Sequence, residues 1–248
     1  MSPNGAWFVI YNFTIIDGEV DDIEQSIMAL MGVDRVETED QIRKFRTLKI
    51  MVLYLQDDAK FGKYCYYGCY CLPEGSHNIA SGGYGTPLDA IDQSCFEFKQ
   101  CYKCLLSEHA GDTKGGIADG VCAGENYGYA MEALVDADGK KYIKCNNKVG
   151  SCRRNICECD KALAEKLGEH QNSWDVSLHT NKGGFVREDN CQKRNGPGNQ
   201  VLPGKTCPCD TCPCPEECCG DKTTFPFNQP TTVNKCCDGT KSKPAGTC

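Results

Sequence analysis

Residues 89–102 read "DAIDQSCFEFKQCY", and the fold turns on how this stretch is read. It has the character of a helix, with two aspartates, two cysteines and a tyrosine at fixed offsets. Such spacing is the mark of a helix built around a reactive site. Phe98 and Lys99 stand where the offsets point, and neither is an ordinary proton acceptor.

The surrounding composition is dominated by cysteine. The 248 residues contain 21 cysteines, a density that goes with an oxidising compartment and a crosslinked fold. A zinc protein is the competing reading. Histidine is scarce, at 77, 109, 170 and 179, and none falls in a Cys-x-x-Cys and His-x-x-x-His pattern. Disulfides are therefore the expectation, with an odd cysteine left free or bonded to another chain. The net charge of −7 argues against a nucleic-acid binder and against a toxin drawn electrostatically to anionic membranes. No apolar run approaches the roughly 18 residues of a membrane span, so none is expected. The first twenty residues lack a basic start and a clear cleavage site, so the chain reads as a mature form or as one with an atypical signal.

The cysteines are uneven, with none in 1–64, eleven in 65–159 and ten in 191–248, and the chain is expected to comprise an N-terminal extension at 1–35, a core at 36–190 and a Cys-rich C-terminal module at 191–248. In the extension, "WFVIYNFTII" is β-prone, and Ile23, Ile27 and Leu30 recur at helical spacing. Thr38 with Gln41 reads as a capping box. Ile42, Phe45, Leu48, Val52 and Leu55 then form one apolar stripe of an amphipathic helix. The tail, with "CPCDTCPCPEECCG" at 207–220 and a second Cys-Cys pair at 236–237, has no helical period and too few apolar residues for a core, so crosslinks must hold it.

Three stretches place the opening helix in context: "YYGCYC" at 66–71, "GGYGTPLDAIDQSCFEFKQCY" at 82–102 and "CRRNICECDKALAEK" at 152–166. Together they resemble secreted phospholipase A2. That family carries Y-G-C-x-C, a glycine-rich calcium loop, D-x-x-D-x-C-C-x-x-H-D-x-C-Y, and later C-x-C-D-x-x-A-A-x-C. The matching residues run from Tyr67 and Gly68 through Asp89, Asp92, Cys95, Cys101 and Tyr102 to Cys157, Cys159 and Asp160. The resemblance covers roughly residues 38–191 and leaves the start and the tail outside it.

The departures fall on the chemistry. The family's general-base histidine corresponds to Phe98, whose ring has no lone pair to take a proton. The family's calcium-binding aspartate corresponds to Lys99, which replaces a negative charge with a positive one. Ten residues, 72–81, stand between the positions matching Cys71 and Gly82, where the family has two, so the loop carbonyls should not converge on an ion. Glu74 and His77 lie in this insertion and read as solvated rather than as ligands. Tyr102 and Asp160 match residues that orient the histidine, and here a structural role remains for them. Ser94 and Lys166 replace both partners of one family disulfide.

The resemblance implies a mainly α, disulfide-rich fold: a phospholipase-A2-like core with two antiparallel helices, followed by a small irregular Cys-rich module. It implies the pairs Cys71–Cys95, Cys101–Cys159 and Cys145–Cys157. It also implies Cys152 with Cys104 or Cys122, and Cys69 with a later cysteine, Cys191 being the best placed. The functional expectation is a secreted, catalytically inactive member, not an enzyme, with a structural or binding role in an extracellular assembly or matrix. No metal or cofactor is expected. The partners would be other extracellular proteins or further copies of the chain. The alternative is a lipid-binding or membrane-active protein with a lipid in the former substrate channel, which Phe98 makes more apolar.

Overall fold

The computed structural model describes residues 39–56, 60–72, 82–114, 117, 120–191, 218–224, 226–227, 235–244 and 246–248. The N-terminal extension, the capping box at Thr38, the insertion with Glu74 and His77, and the cysteines at 207–214 lie outside these residues.

Three long helices form the centre: α1 (Glu39–Leu55), α2 (Ala90–Glu108) and α3 (Cys152–Glu169). Asp89 starts α2, its extended backbone letting the carboxylate accept from the Asp92 amide at 2.7 Å. Ser151 starts α3 in the same way, accepting from the Arg154 amide. The two helices run antiparallel. Moving forward along α2, Glu97 meets Lys166, Cys101 bonds Cys159, and His109 meets Asn155.

α1 packs on α3 and on a hairpin made by β1 (Met131–Val135) and β2 (Lys141–Cys145). The single stripe expected for α1 is too narrow. Leu48 and Val52 are buried, but so are Met51, Leu53 and Tyr54, while Phe45 and Leu55 sit half in. Contact with both a helix and a hairpin covers more of the circumference than one partner would. The hairpin has no signature in the sequence pattern, since only Ala133, Ile143 and Cys145 of its ten residues are buried.

Two short helices, α4 (Thr180–Gly183) and α5 (Arg187–Asn190), close the core region. In the tail, β3 (Lys235–Asp238) pairs antiparallel with β4 (Lys241–Pro244), so part of the module is a regular hairpin.

Eight disulfides occur among the described residues. Cys71–Cys95, Cys101–Cys159, Cys122–Cys152 and Cys145–Cys157 lie within the core, and Cys69–Cys191 joins it to the first residue of the C-terminal module. Cys104–Cys218 ties α2 to the tail, and Cys219–Cys237 and Cys236–Cys248 lie within the tail. The choice left open for Cys152 thus falls on Cys122, because Cys104 is engaged by the tail. Crosslinks that close long loops restrict the unfolded chain most, and the Cys69–Cys191 bond spans a separation of 122.

Candidate functional site: the α2 face between the glycine loop and Asp160

Asp92 organises the entrance to α2. Its side chain is fully buried and accepts from three backbone amides: Tyr70 at 2.7 Å, and Cys69 and Leu88 at 3.0 Å each. Burial pushes its carboxyl up, while the three amides pull against that shift. This arrangement needs a glycine at 68. Gly68 has φ +56, and a Cβ there would lie 2.5 Å from the Asp92 carboxyl carbon. Asp92 thereby clamps the 68–70 turn and Leu88, two residues before α2, to one point.

The glycine loop is held next. The Tyr70 hydroxyl donates to the Gly85 carbonyl at 2.7 Å, and a Cβ at Gly83 would lie 2.5 Å from the Tyr70 ring. Lys99 reaches across from α2. It is almost fully buried, and its Nζ donates to the Gly82 carbonyl at 3.1 Å. A cation is therefore already supplied to this carbonyl by the chain itself. The family implied by the sequence would bring calcium here. An ammonium aimed at a loop carbonyl repels a divalent ion, so these residues do not fit it.

Phe98 stands one position earlier on the same helix. It is 4% exposed, and its ring centroid lies 4.3 Å from that of Tyr102. Phe98 has no proton-accepting atom, so any hydrolysis by this chain must use a different base. Beneath this ring pair lies a buried polar hub. The Tyr102 hydroxyl donates to Asp160 Oδ1 at 2.6 Å, and the Tyr129 hydroxyl donates to Oδ2 at 2.5 Å. Lys44 completes the hub, its Nζ lying 2.8 Å from Asp160 Oδ2 and 3.0 Å from Oδ1. Lys44 and Asp160 are both fully buried. The Lys44 ammonium also contacts the Tyr102 hydroxyl. Burial and the Asp160 charge hold the hydroxyls of Tyr102 and Tyr129 well above the usual phenol range, so both stay protonated donors.

Lys44 and Tyr129 are the residues that sequence reasoning missed. A signal existed for Lys44: it lies four residues before Leu48 and seven before Met51, on the apolar face of α1. A lysine on such a face needs a buried anion. Tyr129 precedes β1 and carries no comparable signal.

Ser94 donates to the Ala90 carbonyl, and Lys166 pairs with Glu97, so the two positions are served separately. Cys65 is the free cysteine among the described residues. It is buried, and burial pushes its thiol up to about 12, away from exchange chemistry.

The phospholipase A2 family model matches residues 45–177, which contain the helix pair, the glycine loop and the Asp160 hub apart from Lys44. The chain belongs to the phospholipase A2 family. Among similar proteins is the basic phospholipase A2 beta-bungarotoxin A2 chain of Bungarus caeruleus, 30% identical over 121 residues, covering 46% of this chain and 66% of the relative. Another is the acidic phospholipase A2 beta-bungarotoxin A4 chain of Bungarus multicinctus, 31% identical over 124 residues, covering 50% of this chain and 68% of the relative. The matched stretch thus spans about two thirds of these relatives' length.

These matches correct one expectation. Phe98 and Lys99 lead the sequence reading to a chain that is not an enzyme. Its family and its relatives carry the name of an enzyme, and the two substitutions establish only which groups cannot act. They do not exclude turnover by others. No described helix is long and apolar enough to cross a membrane.

Proposed function

We propose that this phospholipase A2 family protein is secreted and binds lipid on the α2 face, with the acyl chain against the Phe98 side and an anionic group drawn toward Lys99. The observation that carries this reading is the pairing of an aromatic residue and a buried ammonium at successive helix positions, beside the glycine loop. Phe98 adds apolar surface where a chain would lie, and half-buried Phe96, stacked edge-on to Tyr70 at 4.9 Å, extends the aromatic surroundings. Lys99 supplies fixed positive charge, so recognition of a carboxylate or phosphate needs no metal ion.

Native mass spectrometry after incubation with a long-chain fatty acid, or with anionic phospholipid in mixed micelles, tests the proposal. One lipid per chain is expected, with occupancy reduced by Phe98→Asp and by Lys99→Met. Fatty-acid release in the same samples reports whether a bound ester turns over. Protein that carries no lipid at any concentration up to micelle saturation refutes the proposal.

A second reading draws on the eight disulfides among the described residues, which favour a rigid binding part within an extracellular assembly. Light scattering on the purified chain separates the two. Concentration-dependent growth of the particle supports assembly, and a constant monomer mass opposes self-association.

A further inference from the structure

At the far end of the helix pair, away from Lys99, the tail meets the core through a small buried polar seam. Asn155 of α3 is 1% exposed and His109, at the end of α2, is fully buried. The Asn155 amide nitrogen serves two acceptors. It lies 2.8 Å from His109 Nε2 and donates to the Lys222 carbonyl at 3.1 Å. An amide NH2 has two hydrogens, so both are used. His109 Nε2 must then be the unprotonated nitrogen. The ring proton sits on Nδ1, which faces Asp112 Oδ2 at 3.4 Å.

The seam joins the tail to the core at a point that is also tethered covalently. Cys104–Cys218 anchors the tail to α2 four residues before Lys222. The turn before α3 comes close as well, since a Cβ on Gly150 would lie 3.7 Å from the Lys222 carbonyl oxygen. Residues 221–224 form a self-contained turn. The Asp221 amide donates to the Thr224 hydroxyl at 2.7 Å, the Thr224 amide returns to the Asp221 carbonyl at 3.0 Å, and the Thr223 amide donates to the Asp221 carboxylate at 2.7 Å. Once undocked, so short a turn has only these local bonds to hold it, and its amides exchange far more freely.

We propose that this seam is an acid-released clasp: protonating His109 turns Asn155 away from the Lys222 carbonyl and frees the 221–224 turn, while Cys104–Cys218 keeps it tethered. A proton added at Nε2 points an N–H at the Asn155 NH2, donor against donor. Rotating the Asn155 amide presents its oxygen to the new N–H. The same rotation brings that oxygen against the Lys222 carbonyl, acceptor against acceptor. The seam can satisfy the histidine or the tail, not both, and the buried site gives water little access to mend the loss.

Among the described residues, the charged groups facing the ring are the Asp112 carboxylate, from the turn after α2, and the Lys222 ammonium, from the tail. α3 contributes the neutral Asn155 amide. Burial of the ring pulls its pKa below the ordinary histidine value, so release falls on the acid side of the usual histidine range. The Lys114 amide and the Thr223 hydroxyl respectively hold the Asp112 and Asp221 carboxyls low, so neither becomes neutral within that window.

Amide hydrogen exchange of the full chain at about pH 7.5 and about pH 5 tests the clasp, with rates corrected for intrinsic pH dependence. Protection at 221–224 should fall roughly tenfold at the lower pH, relative to the interior of α3. His109→Gln keeps a neutral acceptor and should abolish the difference. Ring-nitrogen NMR of the unaltered protein gives an independent check, because the His109 midpoint should coincide with the midpoint of lost protection. Protection that does not change with pH, an equal change in His109→Gln, or two separated midpoints each overturn the proposal.

Discussion

Replacing Lys44 with methionine tests the buried hub directly. Methionine fills most of the same volume, so packing changes little, and the effect falls on charge. Asp160 would keep its donors Tyr102 and Tyr129 but lose the ammonium 2.8 Å away, in a place with no exposed surface. Removing one partner of a buried ion pair costs about 3–5 kcal/mol. The two retained hydroxyl donors put the expected loss near the lower end, about 3 kcal/mol. The second arm is Asp160→Asn, alone and with Lys44→Met. The double variant buries no unpaired charge, so it should be more stable than the sum of the single losses by about 2 kcal/mol. Denaturant unfolding with disulfides intact measures all four proteins, and the eight bonds among the described residues should keep the single variants folded enough to measure. A Lys44→Met loss under about 1 kcal/mol, or strict additivity in the cycle, would show that the pair does not anchor α1 to the helix pair.

Gly68→Ala should cost more than about 2 kcal/mol or prevent folding, because the positive φ and the 2.5 Å approach to Asp92 act together; thermal unfolding of the purified variant reads it. Phe98→Ala should destabilise by about 3 kcal/mol through loss of the ring packed on Tyr102, measured by the same denaturant series. His179 accepts from the Asn181 and Lys182 amides through Nδ1 and faces the Gly62 carbonyl through Nε2, so it is held neutral. Burial lowers its pKa. A lowered histidine gives stability that is present above the unfolded value of about 6.5 and is lost as pH falls through the folded value. Stability measured between about pH 7.5 and about pH 5 should therefore decline on the acid side, and His179→Asn should flatten its share of that decline.

The helix pair was legible because cysteines, aspartates and glycines recur at offsets that only a particular backbone satisfies. Gly68 must yield space to Asp92, and Asp92 must gather three amides, so these residue types carry their positions openly. The hub was less legible. Asp160 and Tyr102 could be placed together through the family pattern, but Lys44 comes from a helix whose apolar stripe masks its one buried charge at the hub. Tyr129 reaches Asp160 only because the chain folds back before β1, a non-local fact. The tail's bond to Cys104 was equally hidden, since cysteine count and spacing do not order the pairings. Catalysis is the case where the sequence invites too much. Phe98 cannot take a proton and Lys99 cannot ligate a cation, but each residue limits only its own position and leaves every other group of the chain free to act.

The most direct test of the account is lipid affinity measured in calcium and in chelator, on the same preparation of the full chain. Lys99 already holds the Gly82 carbonyl, so fatty-acid binding should be equal in both conditions. In the Lys99→Met variant the affinity should fall by roughly tenfold, the scale of one charge-assisted contact. Binding that appears only with calcium, or that survives Lys99→Met unchanged, would contradict the assignment of the anion-recognising role to Lys99.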